Sequence, residues 1–375
     1  MTHLQDLNRL LQNVLEAETP DSPELQQALV AHALAHRDRY APFKPETLLA
    51  ESLAARSQLL RAVYPDLNQF CQRVLGWPGS PLDVMWRLWI PLAQWMDGRQ
   101  QRLGRPLIQG ILGGQGTGKT TLALILSRIL AQLGHRVCCL SIDDFYKSYA
   151  ERQQLQRADP RLIWRGPPGT HDVNLAVSVL QQLRAGQPVA VPRFDKSAQG
   201  GQGDRAAFES VAGATVVLLE GWLVGIRPID PDKLDPGKLD PGKLDLGQLA
   251  LTQPDLEWPK PLPWPLASAA DCAFARDCNE RLRAYLPLWE QLDRLLVLHP
   301  VSYRLSQRWR RQAEQAMMAT GRSGLSDAEI DRFVLYFWRA LPPDLFIAPL
   351  LRDRQKVDLV VEIDEHHGPQ RIYKP

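Results

Sequence analysis

Cysteine is scarce in this 375-residue chain, and none of it is spaced for structural work. Cys71, Cys138, Cys139, Cys272 and Cys278 include no C-x-x-C pair and are odd in number, which supports neither a zinc site nor a disulfide framework. Cys138 and Cys139 lie in an apolar run and read as small buried hydrophobes; a reducing, cytoplasmic setting is expected. Charge of one sign is missing too. Lys and Arg number 44 against 42 Asp and Glu, a net +2, so no global field draws the chain to nucleic acid or an acidic membrane. No apolar run approaches the ~20 residues that span a bilayer. The start, Met-Thr-His-Leu-Gln-Asp, carries an early acid unlike a targeting peptide, so the expectation is a soluble protein. A guanine-reading Asn-Lys-x-Asp motif is also absent: Asn8, Asn13, Asn68, Asn174 and Asn279 are not followed by Lys.

What is present is ordinary globular material, 45% hydrophobic and 23% charged, enough for two domains or one large domain with an accessory layer. Residues 1–100 read as a helical accessory region, with Leu4, Leu7, Leu10, Leu11, Val14 and Leu15 at helical spacing and Trp86, Leu88, Trp89, Ile90 and Trp95 further on. From Arg105 the pattern changes. Pro106 to Leu112 is a short apolar run ending in glycines, and Thr120 to Leu133 is a helix apolar on nearly every face. Strands are expected at Val137–Ile142, Ala214–Leu219, Leu295–Leu298 and Asp358–Ile363. Strands alternating with helices predict an α/β fold, a P-loop NTPase-type parallel sheet with helices on both faces, over residues 101–375. Within it, residues 228–265 carry a repeat of Asp-Pro-Gly-Lys-Leu type and a proline-rich tail. One leucine per unit builds no core, so this reads as an exposed, irregular insertion.

The segment Gly113-Gly114-Gln115-Gly116-Thr117-Gly118-Lys119-Thr120, with Thr121 behind it, matches G-x-x-x-x-G-K-[ST] between a strand and a helix. Inward N–H groups would cradle the phosphates of ATP, Lys119 would reach the β- and γ-phosphates, and the Thr120 hydroxyl would ligate Mg²⁺. Ser141-Ile142-Asp143-Asp144-Phe145-Tyr146 stands at the carboxyl end of the second strand, where α/β sheets bind ligands. One of its two acids could accept a hydroxyl proton, or either could be a turn acid. Glu220, closing the third strand, is placed to hold Mg²⁺.

Two loops read as acceptor-site material: Trp164 to Asp172, which brings together Arg165, His171 and Asp172, and Val191 to Ser197, with Arg193 and Lys196. After the fourth strand comes a basic helix with Arg304, Arg308 and Arg311 on one face. It is either a lid over the transferred phosphoryl group or a solvated surface with Arg310 paired to Glu314.

In this order the pieces resemble the small-molecule kinases related to phosphoribulokinase, uridine kinase and bacterial pantothenate kinase. Within that group Ser141 to Tyr146, Gly166 to Asp172, Pro192 to Ser197, Leu219 to Trp222, Trp309-Arg310 and Gly324 to Ile330 resemble the D-glycerate 3-kinase family of plant and cyanobacterial type. The resemblance covers about residues 80–365. It implies phosphorylation of a small hydroxy acid, D-glycerate, at its 3-hydroxyl by MgATP. It implies Asp143 as the base, with Lys119 and Arg310 as further catalytic residues, and Glu220 on the metal side. Arg165, His171, Arg193 and Lys196 fall on the acceptor side. The repeat insertion and the stretch Tyr336 to Pro343 depart from the pattern. Other readings stay open at this point: a related kinase for a nucleoside, pantothenate or sugar phosphate, a P-loop ATPase switch, or an ATP-binding regulator.

Overall fold

The computed structural model describes residues 2–17, 22–35, 50–77, 79–235, 265–319 and 325–375. Most of the Asp-Pro-Gly-Lys-Leu repeat, the prolines from Pro254 to Pro263, and Gly324 lie outside the described residues.

The chain opens with α1 (Thr2–Glu16), α2 (Pro23–Ala35), α3 (Ala50–Arg73) and α4 (Ile90–Leu103). As the spacing predicts, Leu7, Leu11 and Val14 are buried. A π turn over Met85–Trp89 leads into α4, with the Ile90 N–H bonded to the Met85 carbonyl five residues back. Pro91, next in line, has no N–H to continue a regular α ladder, which is where such a widened turn is tolerated.

The strands are β1 (Leu107–Gly113), β2 (Val137–Ser141), β3 (Val189–Val191), β4 (Phe194–Asp195), β5 (Asp204–Arg205), β6 (Glu209–Val211), β7 (Val216–Gly221), β8 (Arg294–Pro300), β9 (Leu359–Ile363) and β10 (Pro369–Tyr373). The main sheet runs β10-β9-β8-β1-β7-β2, while β3 pairs with β6 and β4 with β5. Its first five strands in chain order are mutually parallel, as expected; β10 adds an antiparallel edge. β10 has one buried apolar residue, Ile372, too little to announce a strand. Between the strands run α5 (Lys119–Gln132), α6 (Tyr149–Ala158), α7 (Val173–Arg184), α8 (Ala269–Arg281), α9 (Leu305–Met318) and α10 (Asp327–Ala340).

Alternation along each central strand divides the core in two. Leu107 and Ile111 of β1, Val216 and Leu218 of β7, and Leu296 and Leu298 of β8 face one core, shared with α5 and the N-terminal helices through Leu60, Trp86 and Ile90. Ile108, Leu112, Val217, Leu219, Leu295 and Val297 face the other, with Leu180 of α7 and Cys278 of α8. Period-two side chains on a sheet covered on both faces produce this arrangement.

The stretch Asp327–Arg352, though interrupted by charges, reaches the length and mean hydropathy (1.2) of a membrane span by composition, and 61% of its apolar window is buried inside the fold. One expectation needs correction: the insertion is not irregular from its first residue. Pro231–Leu234 forms a 3₁₀ turn whose Leu234 is 0% exposed, and buried Asn279 grips both backbone groups of Ile229. The first leucine of the repeat therefore belongs to the core.

Candidate active site

The loop between β1 and α5 turns at Gly116 (φ +75°) and Gly118 (φ +81°), conformations that favour glycine. A side chain on Gly116 would also strike Trp309, whose Cβ stands 2.7 Å from where its own would be. Lys119 Nζ donates to the Gly114 carbonyl at 2.8 Å, and Thr117 Oγ1 to the same oxygen at 2.9 Å. Burial pulls the Lys119 pKa down, opposed by the charges of Glu220 and Asp143, so these three groups share one electrostatic neighbourhood. Glu220 lies one residue inside the end of β7, level with Ile111 and Ser141 on the flanking strands, and is 7% exposed. Its Oε1 accepts the Thr120 hydroxyl at 2.9 Å.

The structure separates the two acids after β2. Ser141 and Asp144 form a reciprocal cap on the 3₁₀ turn Ile142–Phe145: the Ser141 hydroxyl takes an N–H from the turn, and Asp144 Oδ2 accepts the Ser141 N–H at 2.9 Å. Asp144 is thereby committed to the backbone. Asp143 points the other way, 2.7 Å from the Lys196 ammonium. Burial would push its carboxyl pKa up, but the Lys196 charge and hydrogen bonds from Lys196 and Tyr146 outweigh that and hold it below the usual range.

On the acceptor side, the β4–β5 hairpin carries Lys196. Arg165 donates to the Gly201 carbonyl at 3.0 Å and lies over the Phe194 ring. Arg152, 9% exposed, donates to the carbonyls of Lys147, Gln202 and Gly203 and also covers Phe194. Neither guanidinium has an ion pair among the described residues, and burial together with Arg165 lowers the Arg152 pKa. His171 is buried, stacked on Tyr146 at 4.6 Å, with Nδ1 2.7 Å from the Tyr285 hydroxyl.

Arg193 is placed differently from the other acceptor candidates. Its guanidinium meets Glu209 (2.8 Å), Asp144 (3.3 Å) and the Cys139 carbonyl (3.0 Å), so it braces the back of the capped turn. The arginines of α9 are likewise engaged: Arg308 with Glu365, Arg310 with buried Glu314, and Arg311 with Asp331. Arg304 precedes the helix and bonds Tyr303. α9 still adjoins the phosphate loop, through Trp309 against Gly116 and against His367, whose Nε2 is 2.8 Å from the Gly116 carbonyl. Sequence reading missed Arg152, Tyr285 and His367. Each acts mainly on residues more than forty positions away along the chain, and no local motif marks them.

Fold and site together define a P-loop phosphotransferase, with an anion cradle after β1 and the Asp143 carboxylate after β2, two parallel strands that flank β7. Residues 108–226 match the phosphoribulokinase/uridine kinase family. An uncharacterized kinase of Schizosaccharomyces pombe is 31% identical over 279 residues, 71% of this chain and 91% of that protein. The chloroplastic D-glycerate 3-kinase of Arabidopsis thaliana is 31% identical over 280 residues, 70% of this chain but only 54% of the relative's length. In structure, the D-glycerate 3-kinase of Cryptococcus neoformans superposes with a TM-score of 0.62 at 25% identity, covering 76% of this chain and 98% of that one. The chain belongs to the phosphoribulokinase/uridine kinase family of ATP-dependent small-molecule kinases.

Proposed function

We propose that the protein phosphorylates D-glycerate at its 3-hydroxyl, converting ATP to ADP and releasing 3-phosphoglycerate. The observation that carries this is the cationic acceptor wall. Arg165 and Arg152 converge on Phe194, and among the described residues their hydrogen bonds go only to backbone carbonyls, while Lys196 faces Asp143. A carboxylate suits such a wall, since a guanidinium binds it in a paired, oriented fashion. Relatives that carry the name D-glycerate 3-kinase add support.

In the reaction, Asp143 accepts the proton of the 3-hydroxyl as its oxygen bonds to the γ-phosphorus. The bond from that phosphorus to the bridging oxygen breaks, and ADP leaves with the electron pair. Lys119 and the loop N–H groups hold the phosphates and offset charge on the transferred group. Thr120 and Glu220, a hydroxyl and a buried carboxylate 2.9 Å apart, are the hard oxygen pair Mg²⁺ uses beside phosphates. When bound there, Mg²⁺ would neutralise phosphate charge. Residues 101–375 carry the whole site, with 1–100 as its buttress. Five free thiols support a cytoplasmic setting.

The test is ATP consumption with D-glycerate, glycerol, uridine and pantothenate, with product identified. D-glycerate should be turned over and glycerol very poorly, because without a carboxylate the cations lose their partner. Equal turnover of glycerol, or turnover of uridine or pantothenate alone, overturns the assignment.

A further inference from the structure

One polar atom beside Asp143 has no hydrogen-bond partner among the described residues. His171 is 2% exposed, and its buried Nε2 is that atom. The opposite nitrogen, Nδ1, lies 2.7 Å from the Tyr285 hydroxyl, and hydrogen-bond accounting fixes the direction of that bond. Tyr285 is fully buried, and its oxygen accepts the Gly169 N–H at 3.0 Å. Its own buried proton also needs an acceptor, and among the described residues Nδ1 is the one within reach. Nδ1 is therefore unprotonated, and the proton of the neutral imidazole sits on Nε2. Burial keeps the ring neutral, its pKa pushed down to about 3.

What remains is a buried N–H donor without an acceptor among the described residues, a deficit that calls for a reason. Its surroundings supply one. The ring stacks on Tyr146, whose hydroxyl bonds Asp143, and Asp143 is the carboxylate whose charge acts on the imidazole.

We propose that His171 Nε2–H reads a second hydroxyl of the acceptor, on the carbon next to the one Asp143 deprotonates, and that Tyr285 is the positioning residue that fixes the required tautomer. This rests on the acceptor reading above and narrows it to a vicinal dihydroxy acid. A neutral donor suits a neutral hydroxyl, whereas the carboxylate goes to Arg165. Lys196, 64% exposed and held on Asp143, is the part of this corner free to swing away and admit the acceptor to both groups.

Two measurements test this separately. Imidazole ¹⁵N spectra of the full chain without ligand, assigned by the signal lost in His171→Gln, should show a pyridine-type Nδ1 and a pyrrole-type Nε2; a protonated Nδ1 overturns the Tyr285 half. Kinetics test the other half. His171→Gln sets an amide N–H near the Nε2 position, whereas His171→Asn keeps a partner for Tyr285 and leaves the Nε2 position bare. The KM for D-glycerate should rise more than about tenfold in His171→Asn and much less in His171→Gln, with the KM for ATP unchanged in both. 3-Hydroxypropanoate keeps the reacting hydroxyl and the carboxylate. It should lose on the order of a thousandfold in kcat/KM on the wild type, the scale of an unmatched buried donor, and that gap should shrink in His171→Asn. Equal losses in the two variants, or an unchanged gap, reduce His171 to a stacking role and overturn the proposal. Failure of the wild type to use D-glycerate at all would instead overturn the acceptor assignment and with it the hydroxyl reading, leaving the tautomer to the spectra.

Discussion

Asp143 and Asp144 are adjacent, yet one turn of backbone gives them different work. Asp144 is tied to the Ser141 N–H and Arg193, while Asp143 faces Lys196 and the charge of Lys119. Asp143→Asn should lower kcat by more than about a hundredfold with little change in the KM for ATP, the scale of a lost general base. Asp144→Asn should instead cost about 1 kcal/mol of stability through the weakened cap and leave most of the rate. Steady-state kinetics and melts on both variants check this; a larger rate loss in Asp144→Asn would reverse the assignment. Lys119→Ala should abolish turnover with the melting temperature nearly kept, because among the described residues the ammonium's hydrogen bond goes to the Gly114 carbonyl and the side chain belongs to neither core. Rates near wild type would refute the phosphate cradle. At this scale the phosphate loop was legible because its chemistry is local: glycines, lysine and threonine act within eight consecutive residues. The choice between the two acids was not legible from the residues alone, since both fit the same motif and only the cap distinguishes them. Arg193 looked like acceptor material for the same reason. Its partners Glu209 and Asp144 come from other segments, and a sequence does not show which cation a distant acid will claim.

At the scale of elements, periodicity worked where burial is one- or two-sided and regular. The helical character of the region before residue 104 and the five parallel strands follow from apolar spacing, the strands with ends shifted by a residue or two. It failed for β3 to β6 and β10, which are two to five residues long and mostly exposed or half-buried, and so carry almost no alternation to read. It failed again at Leu234, where the surrounding prolines and glycines conceal a leucine that the second core encloses. Leu234→Ala should therefore destabilise the protein by about 2–5 kcal/mol, the usual range for emptying a buried leucine site. Urea unfolding monitored by tryptophan fluorescence would measure it. A change under about 0.5 kcal/mol, as for an exposed site, would show that the turn does not dock.

Over the whole molecule, the response to acid follows from two buried imidazoles. His171 has its pKa pushed down to about 3 and His299, at the end of β8, to about 4, in both cases chiefly by burial. In the unfolded chain each returns to about 6.5. Between 6.5 and those folded values the unfolded state binds protons that the folded state does not, so stability rises with pH across that window. The protein is therefore expected to hold its full histidine-linked stability above about pH 6.5 and to lose it steadily down to about pH 4. The carboxylates act later. Asp143 and Asp293 have lowered pKa values in the fold, so their contribution is present above the ordinary carboxylate pKa of about 3.9 and drains away only below it. The two stages separate experimentally at His299, which the proposed chemistry does not use. Melting temperatures at pH 7.5, 6.5, 5.5 and 4.5 should fall less steeply in His299→Gln than in the wild type. A constant offset from lost packing would leave the slope alone, so the slope is the diagnostic quantity. Parallel lines for the two proteins would mean that His299 takes up its proton without unfolding, and the acid sensitivity would then have to originate in the carboxylates.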